Sequence, residues 1–125
     1  MEVTMTSDEN LQRLKNISER IENIYKLCDF SGNIIAAVED KAFSEPAILM
    51  HIQICKENFE KIIYSGDDIS VIFSKQTLRS FKAIKSLLNG DFGDINSALL
   101  ESIVRNNLPK IKENIDEYFL GIYKQ

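Results

Sequence analysis

Lys75, Arg79, Lys82, Ser86 and Asn89 recur at three- and four-residue intervals in the stretch "KQTLRSFKAIKSLLN". At roughly 100° per residue they share one side of a helix, while Phe81, Ile84, Leu87 and Leu88 share the opposite side. No acidic residue lies between Ile69 and Gly90, so this is the most basic surface that the sequence predicts. Such a row can neutralise a phosphate backbone, with Ser86 and Asn89 adding hydrogen bonds. It can equally be a solvated helix face. Lys75, Arg79, Lys82, Lys85 and Asn89 are accordingly the candidates for contact with RNA.

The row runs into an elbow, Asn89-Gly90-Asp91-Phe92-Gly93-Asp94. Gly90 suits the left-handed turn that ends a helix, Gly93 frees the next turn, and Phe92 between them is expected to anchor the loop in the core. A phosphate-cradling loop does not fit, because Asp91 and Asp94 would repel the ligand and no Gly-x-x-x-x-Gly-Lys pattern is present.

Elsewhere chemistry is sparse. His51 is the sole histidine and lies beside the apolar positions Ile48 and Cys55 on its helix, which predicts a core-edge histidine held by a hydrogen bond. No partner for a general base is visible in the sequence. With one histidine and no Cys-x-x-Cys, a histidine-based metal site is not expected, and no cofactor is implied. Cys28 and Cys55 sit among apolar neighbours and read as two buried thiols in a reduced, cytoplasmic setting rather than as a disulfide. Asp67-Asp68 reads as a turn, and "ENIDEY" as a solvated face.

The elements that must carry these groups belong to one domain of 125 residues. A net charge of −4 argues against bulk capture of nucleic acid, though not against a local basic patch. No apolar run reaches the ~20 residues of a membrane span, and the first residues lack the basic and apolar regions of a signal peptide. With two prolines and five glycines, long helices are expected.

The first helix should start at Thr6 or Ser7, bury Leu11, Leu14, Ile17, Ile21, Ile24 and Cys28, and end near Asp29. A short helix at "NIIAAVEDKA" follows. Ser44 is expected to cap the next, with Pro46 in its first turn and Ile48, Ile52, Cys55, Phe59 and Ile62 as its stripe. Leu49, Met50, Ile54 and Ile63 widen that stripe, which implies a central helix. "ISVIFS" reads as a helical turn rather than a strand, since one strand would have no partner. Beyond the elbow, Asp94 should cap "INSALLESIVRNN". Pro109 should then interrupt the pattern before a last helix with Leu108, Ile111, Ile115, Phe119 and Ile122 in phase. The expected fold is all-α, a bundle of about five main helices around an up-and-down four-helix core.

Two stretches resemble the HepT-like proteins of the HEPN superfamily. "AILMHIQICKENFEKI" (Ala47 to Ile62) is similar to that family's second-helix signature through Ala47-Ile48, His51-Ile52-Gln53-Ile54 and Glu57. "LLNGDFGDINSALLESIVRNNLPKIKENI" resembles its elbow and closing segments through Leu87, Gly90, Phe92, Gly93, Asn106, Leu108, Pro109 and Lys112. The resemblance spans most of the chain in the same order. It implies a HEPN-like bundle that dimerises with its elbows facing each other across a cleft. That cleft holds a metal-independent RNase site, built from an Arg-Asn pair, four intervening residues and a His. It also implies a small nucleotidyltransferase antitoxin, which modifies a Tyr two residues after the His.

The chain departs from the family at those positions. Asn89 stands for the His and Asp91 for the Tyr; the Arg position falls on Ile84 or Lys85, and Ser86 or Lys85 replaces the Asn. Lys56 replaces a packing glycine. Asn has no accessible pKa, so Asn89 can position but cannot transfer a proton, a loss of about 10²–10⁴ in rate. The resemblance therefore implies a non-catalytic homodimer acting by binding, as partner of a small nucleotidyltransferase and with some RNA contact. An RNase with a rearranged site of Arg79, Lys85 and Asn89, or a structural bundle with an unrelated partner, stay open beside it. The apolar surplus of the helix from Ala47 to Tyr64, with Phe43, Ile72 and Phe73 nearby, adds a separate reason to expect a two-fold interface.

Overall fold

A computed structural model describes residues 7–89 and 95–123. Among them the chain is all helical: α1 (Asp8–Ser31), α2 (Ile34–Glu39), α3 (Ser44–Ser65), a 3₁₀ turn (Ile69–Val71), α4 (Lys75–Leu88), α5 (Ser97–Ser102), a π-helical segment (Ile103–Asn107) and α6 (Leu108–Tyr123). The residues Gly90 to Asp94 of the elbow, Thr6, and the expected roles of Asp91 and Phe92 lie outside the described residues.

Four long helices run alternately up and down. The end of α1 meets the start of α3 through Ser31 Oγ and Ser44 Oγ at 2.8 Å. The start of α1 meets the end of α3 through Asn10 Nδ2 and Ser65 Oγ at 2.6 Å. Ser74 and Ser80 on α4 pair in reverse order with Asn114 and Asn107, and Ser18 on α1 pairs with Asp116 on α6. Each helix thus packs on the next, and α6 closes the ring against α1. The core between them is almost wholly aliphatic, with Leu14, Ile17, Ile21, Ile24, Ile48, Ile52, Ile62, Ile84, Ile111 and Ile115 fully buried.

Several helix ends differ from expectation, each for a local reason. Helix α1 is capped by Ser7, one of the two expected starts, whose side chain accepts from Asn10 N, but it runs two residues past Asp29 to Ser31, with Gly32 as its C-cap. The cap of α3 is not Ser44. Asp40 accepts from the backbone N–H groups of Ala42, Phe43 and Ser44 at 3.2 Å each, and these bonds hold its carboxyl below the usual range. Ser44 is freed to bond Ser31. Helix α3 ends at Gly66 with φ +88°, a left-handed conformation that a Cβ would strain.

Pro109 does not interrupt the last helix. The chain stays helical from Ser97 to Tyr123, because the preceding turn widens: Leu108 N bonds Ile103 O, five residues back. That wider turn accommodates the ring that would otherwise clash with the carbonyl four residues before it. The N-cap of α5 is Asn96, accepting from Leu99 N at 3.1 Å, rather than Asp94.

Candidate functional site: a basic, aromatic-floored groove between α3 and α4

Helix α4 begins at Ser74, whose hydroxyl accepts from Thr77 N, and its apolar stripe locks its rotation. Phe81, Ile84, Leu87 and Leu88 are buried. Lys75, Arg79, Lys82, Lys85, Ser86 and Asn89 are all exposed as a result. None of the four cations pairs with a carboxylate among the described residues, whereas Arg13, Lys41, Lys56, Arg105 and Lys112 all do. The basic row is therefore present and has no carboxylate partner among the described residues.

Beside this row, α3 and α4 diverge and leave a half-open groove of about 290 Å³. Its walls are Phe59 and Ile63 from α3, Leu78 and Phe81 from α4, and Ile69 from the 3₁₀ turn; Lys56, Glu60, Lys82 and Lys85 form the rim. The floor is an aromatic cluster. Phe59 stacks on Phe81 with centroids 3.7 Å apart and planes within 7°, and Phe73 meets both edge-on at 5.8 and 5.5 Å. Lys56 is neutralised by Glu60 at 3.4 Å, which leaves Lys82 and Lys85 as the free charges of the rim. Ile63 is 46% exposed; Tyr64, next to it on α3, is 88% exposed, and Val71, on the 3₁₀ turn with Ile69, is 50% exposed.

Of the positions that the resemblance singles out, one faces the core and two share the outer face of α4, while Asp91 lies outside the described residues. Ile84 is fully buried and cannot line a site; Lys85 and Asn89 are exposed. His51 is about 12 Å along α3 from Phe59 at 1.5 Å per residue. Its Nδ1 lies 3.3 Å from Arg20 Nη1 and accepts from it, since a guanidinium only donates. Burial first, and then the Arg20 charge, push the His51 pKa down. That is the expected core-edge histidine, now with its partner named. Both cysteines are free and buried; burial pushes the Cys55 thiol up to about 12. Among the described residues no group of three or more His, Cys, Asp or Glu could hold a metal ion, and no helix is long and apolar enough to cross a membrane.

Two of the apolar residues expected on an interface are inside: Ile72 and Phe73 are buried, at 7% and 2% exposure, because the 3₁₀ turn folds them under the ends of α3 and α4. Phe43 and Met50 do stay exposed, at 60% and 51%. Met50 lines a second, more open hollow of about 650 Å³ with Lys41, Glu45, Pro46, Leu49 and Gln53. Lys41 and Glu45 bond each other there, so that hollow carries no free charge.

Inspection of the sequence found the cation row but missed the groove. Its walls come from two helices, and only the apolar spill of Ile63 beyond the α3 stripe hinted at it.

No family model, no curated protein and no solved structure matches the chain.

Proposed function

We propose that this chain is a non-catalytic member of the HepT-like type that acts by binding a partner protein, a small nucleotidyltransferase, through the α4 face. One observation carries the proposal: four exposed cations on one helix have no carboxylate partner among the described residues. Desolvating four like charges side by side is costly unless an anionic surface receives them. The degenerate positions support the same view. A buried Ile84 offers no charge to a phosphorane, and Asn89 offers no proton.

The exposed pair Phe43 and Met50 supports self-association into a homodimer, with RNA as a further ligand of the cation row. The rival reading, an RNase that uses Arg79, Lys85 and Asn89, draws on the exposure of all three side chains.

Identification of the genes encoded beside the chain, followed by co-expression with a small nucleotidyltransferase found there and gel filtration, tests the proposal. A stable complex is expected, together with no cleavage of labelled RNA by the purified chain. Separate elution of the two proteins would overturn the partner. RNA cleavage that Asn89→Ala abolishes would overturn the non-catalytic reading.

A further inference from the structure

The groove asks for more than a charged surface. Its walls are apolar and aromatic, and no Asn or Gln side chain is among the lining residues to read a base edge. Its free charges, Lys82 and Lys85, lie along one wall, and Arg79 and Lys75 continue that row toward the start of α4. Exposed apolar residues lie next to two of its wall residues in the chain, Tyr64 after Ile63 on α3 and Val71 on the 3₁₀ turn that carries Ile69. An apolar channel between two antiparallel helices, with cations along one edge, is complementary to a third helix that has an apolar stripe and an acidic flank.

We propose that the α3/α4 groove docks an amphipathic helix of the partner protein, its apolar stripe on Phe59, Ile63 and Leu78 and its acidic flank against Lys82 and Lys85. This rests on the reading of the chain as a protein-binding component and names where and how the partner attaches. The favoured occupant is a protein helix rather than RNA, because Phe81 is only 5% exposed, which leaves Phe59 as the main ring for a base to stack on, while Ile63, Ile69 and Leu78 match aliphatic side chains.

The test uses three probes against the full chain by fluorescence anisotropy: a synthetic leucine–glutamate amphipathic 18-residue helix (about five turns), the same helix with lysine for glutamate, and a single-stranded RNA of similar charge. The acidic helix should bind on the order of tenfold more tightly than the basic one. Lys82→Glu/Lys85→Glu should remove about tenfold of that affinity, and Ile63→Asp should do the same without changing the α4 charge. Arg105→Glu, on the π segment and outside the groove lining, should leave it unchanged. Equal binding of the two peptides would overturn the proposal, as would indifference to Lys82→Glu/Lys85→Glu, or binding of RNA alone. All these substitutions are at exposed sites, and melting curves confirm that each variant folds. Complex formation with the nucleotidyltransferase that survives Ile63→Asp would sink the groove while sparing the partner. Peptide binding without any such complex would do the reverse.

Discussion

Phe59 on α3 and Phe81 on α4 stack face to face with ring centroids 3.7 Å apart, and this contact joins the two walls of the groove. Phe81 is buried at 5% exposure, whereas Phe59 is half-buried and lends its other surface to the cavity. One ring is structural and the other is shared between the core and the site. Phe81→Ala is expected to lower stability by about 3–5 kcal/mol, through lost transfer energy and a residual cavity. Phe59→Ala should cost less, and urea denaturation of the two variants ranks them.

Asn10 is fully buried on the apolar side of α1. Its Nδ2 donates to Ser65 Oγ and to Asp67 Oδ2, each at 2.6 Å, and its Oδ1 accepts from Arg13. The network pins the start of α1 to the turn after α3, which leads into the 3₁₀ turn behind the groove. Asn10→Ala leaves those partners unmatched and should cost about 1–3 kcal/mol. Asn10→Asp should cost more, because it sets a second carboxylate against Asp67. A smaller loss for Asp than for Ala would contradict this account of the network.

How much of this was legible in the sequence depended on range. The two sides of α4 followed from spacing alone, since periodicity sets which residues turn inward. Asn10 did not, because an asparagine one place before Leu11 gives no sign that Ser65 and Asp67 wait for it. The same holds for Asp40: Ser44 looked like the α3 cap, but three backbone N–H groups converge on the carboxylate four residues earlier. Pro109 signalled a break, and a single widened turn absorbed it. Ile72 and Phe73 looked like spare apolar surface until the 3₁₀ turn tucked them under the bundle. The cation row of the site was thus visible in sequence, whereas its apolar half, built across two helices, was not.

His51 should make stability depend on pH. Its folded pKa is lowered from 6.5 by burial and by Arg20, so below 6.5 the unfolded chain binds a proton that the folded chain refuses. Stability is therefore full above 6.5 and declines as pH falls from 6.5 toward the lowered folded pKa. Replacing the imidazole with an uncharged acceptor, His51→Gln, should flatten this limb. Urea midpoints between pH 7.5 and pH 5 check it, and an unchanged slope in the variant would assign the effect elsewhere.

The thiols should be inert in the folded chain. Cys55 is fully buried, donates to Ile17 O at 3.7 Å and has its pKa pushed up to about 12 by burial; burial also raises Cys28. A thiolate-specific reagent at pH 8 should label both slowly in buffer and rapidly in guanidinium, at two thiols per chain. Fast native labelling of Cys55 would show that α1 and α3 separate more readily than their packing implies.

Self-association is open to light scattering. With Phe43 and Met50 exposed, the chain should be a dimer at micromolar concentration, and Met50→Glu should shift it toward monomer while its melting temperature holds. A strictly monomeric wild type would remove the homodimer from the account.

The central claim is that the α4 cations, which have no carboxylate partner among the described residues, form a protein-binding surface. Its most direct measurement is calorimetric titration of the chain with the proposed partner, a small nucleotidyltransferase, wild type against Arg79→Glu/Lys82→Glu. The account predicts saturable binding that weakens at least tenfold in the double variant and falls with added salt. Binding that ignores both the substitutions and the salt, or no heat of binding from the wild type, would contradict it.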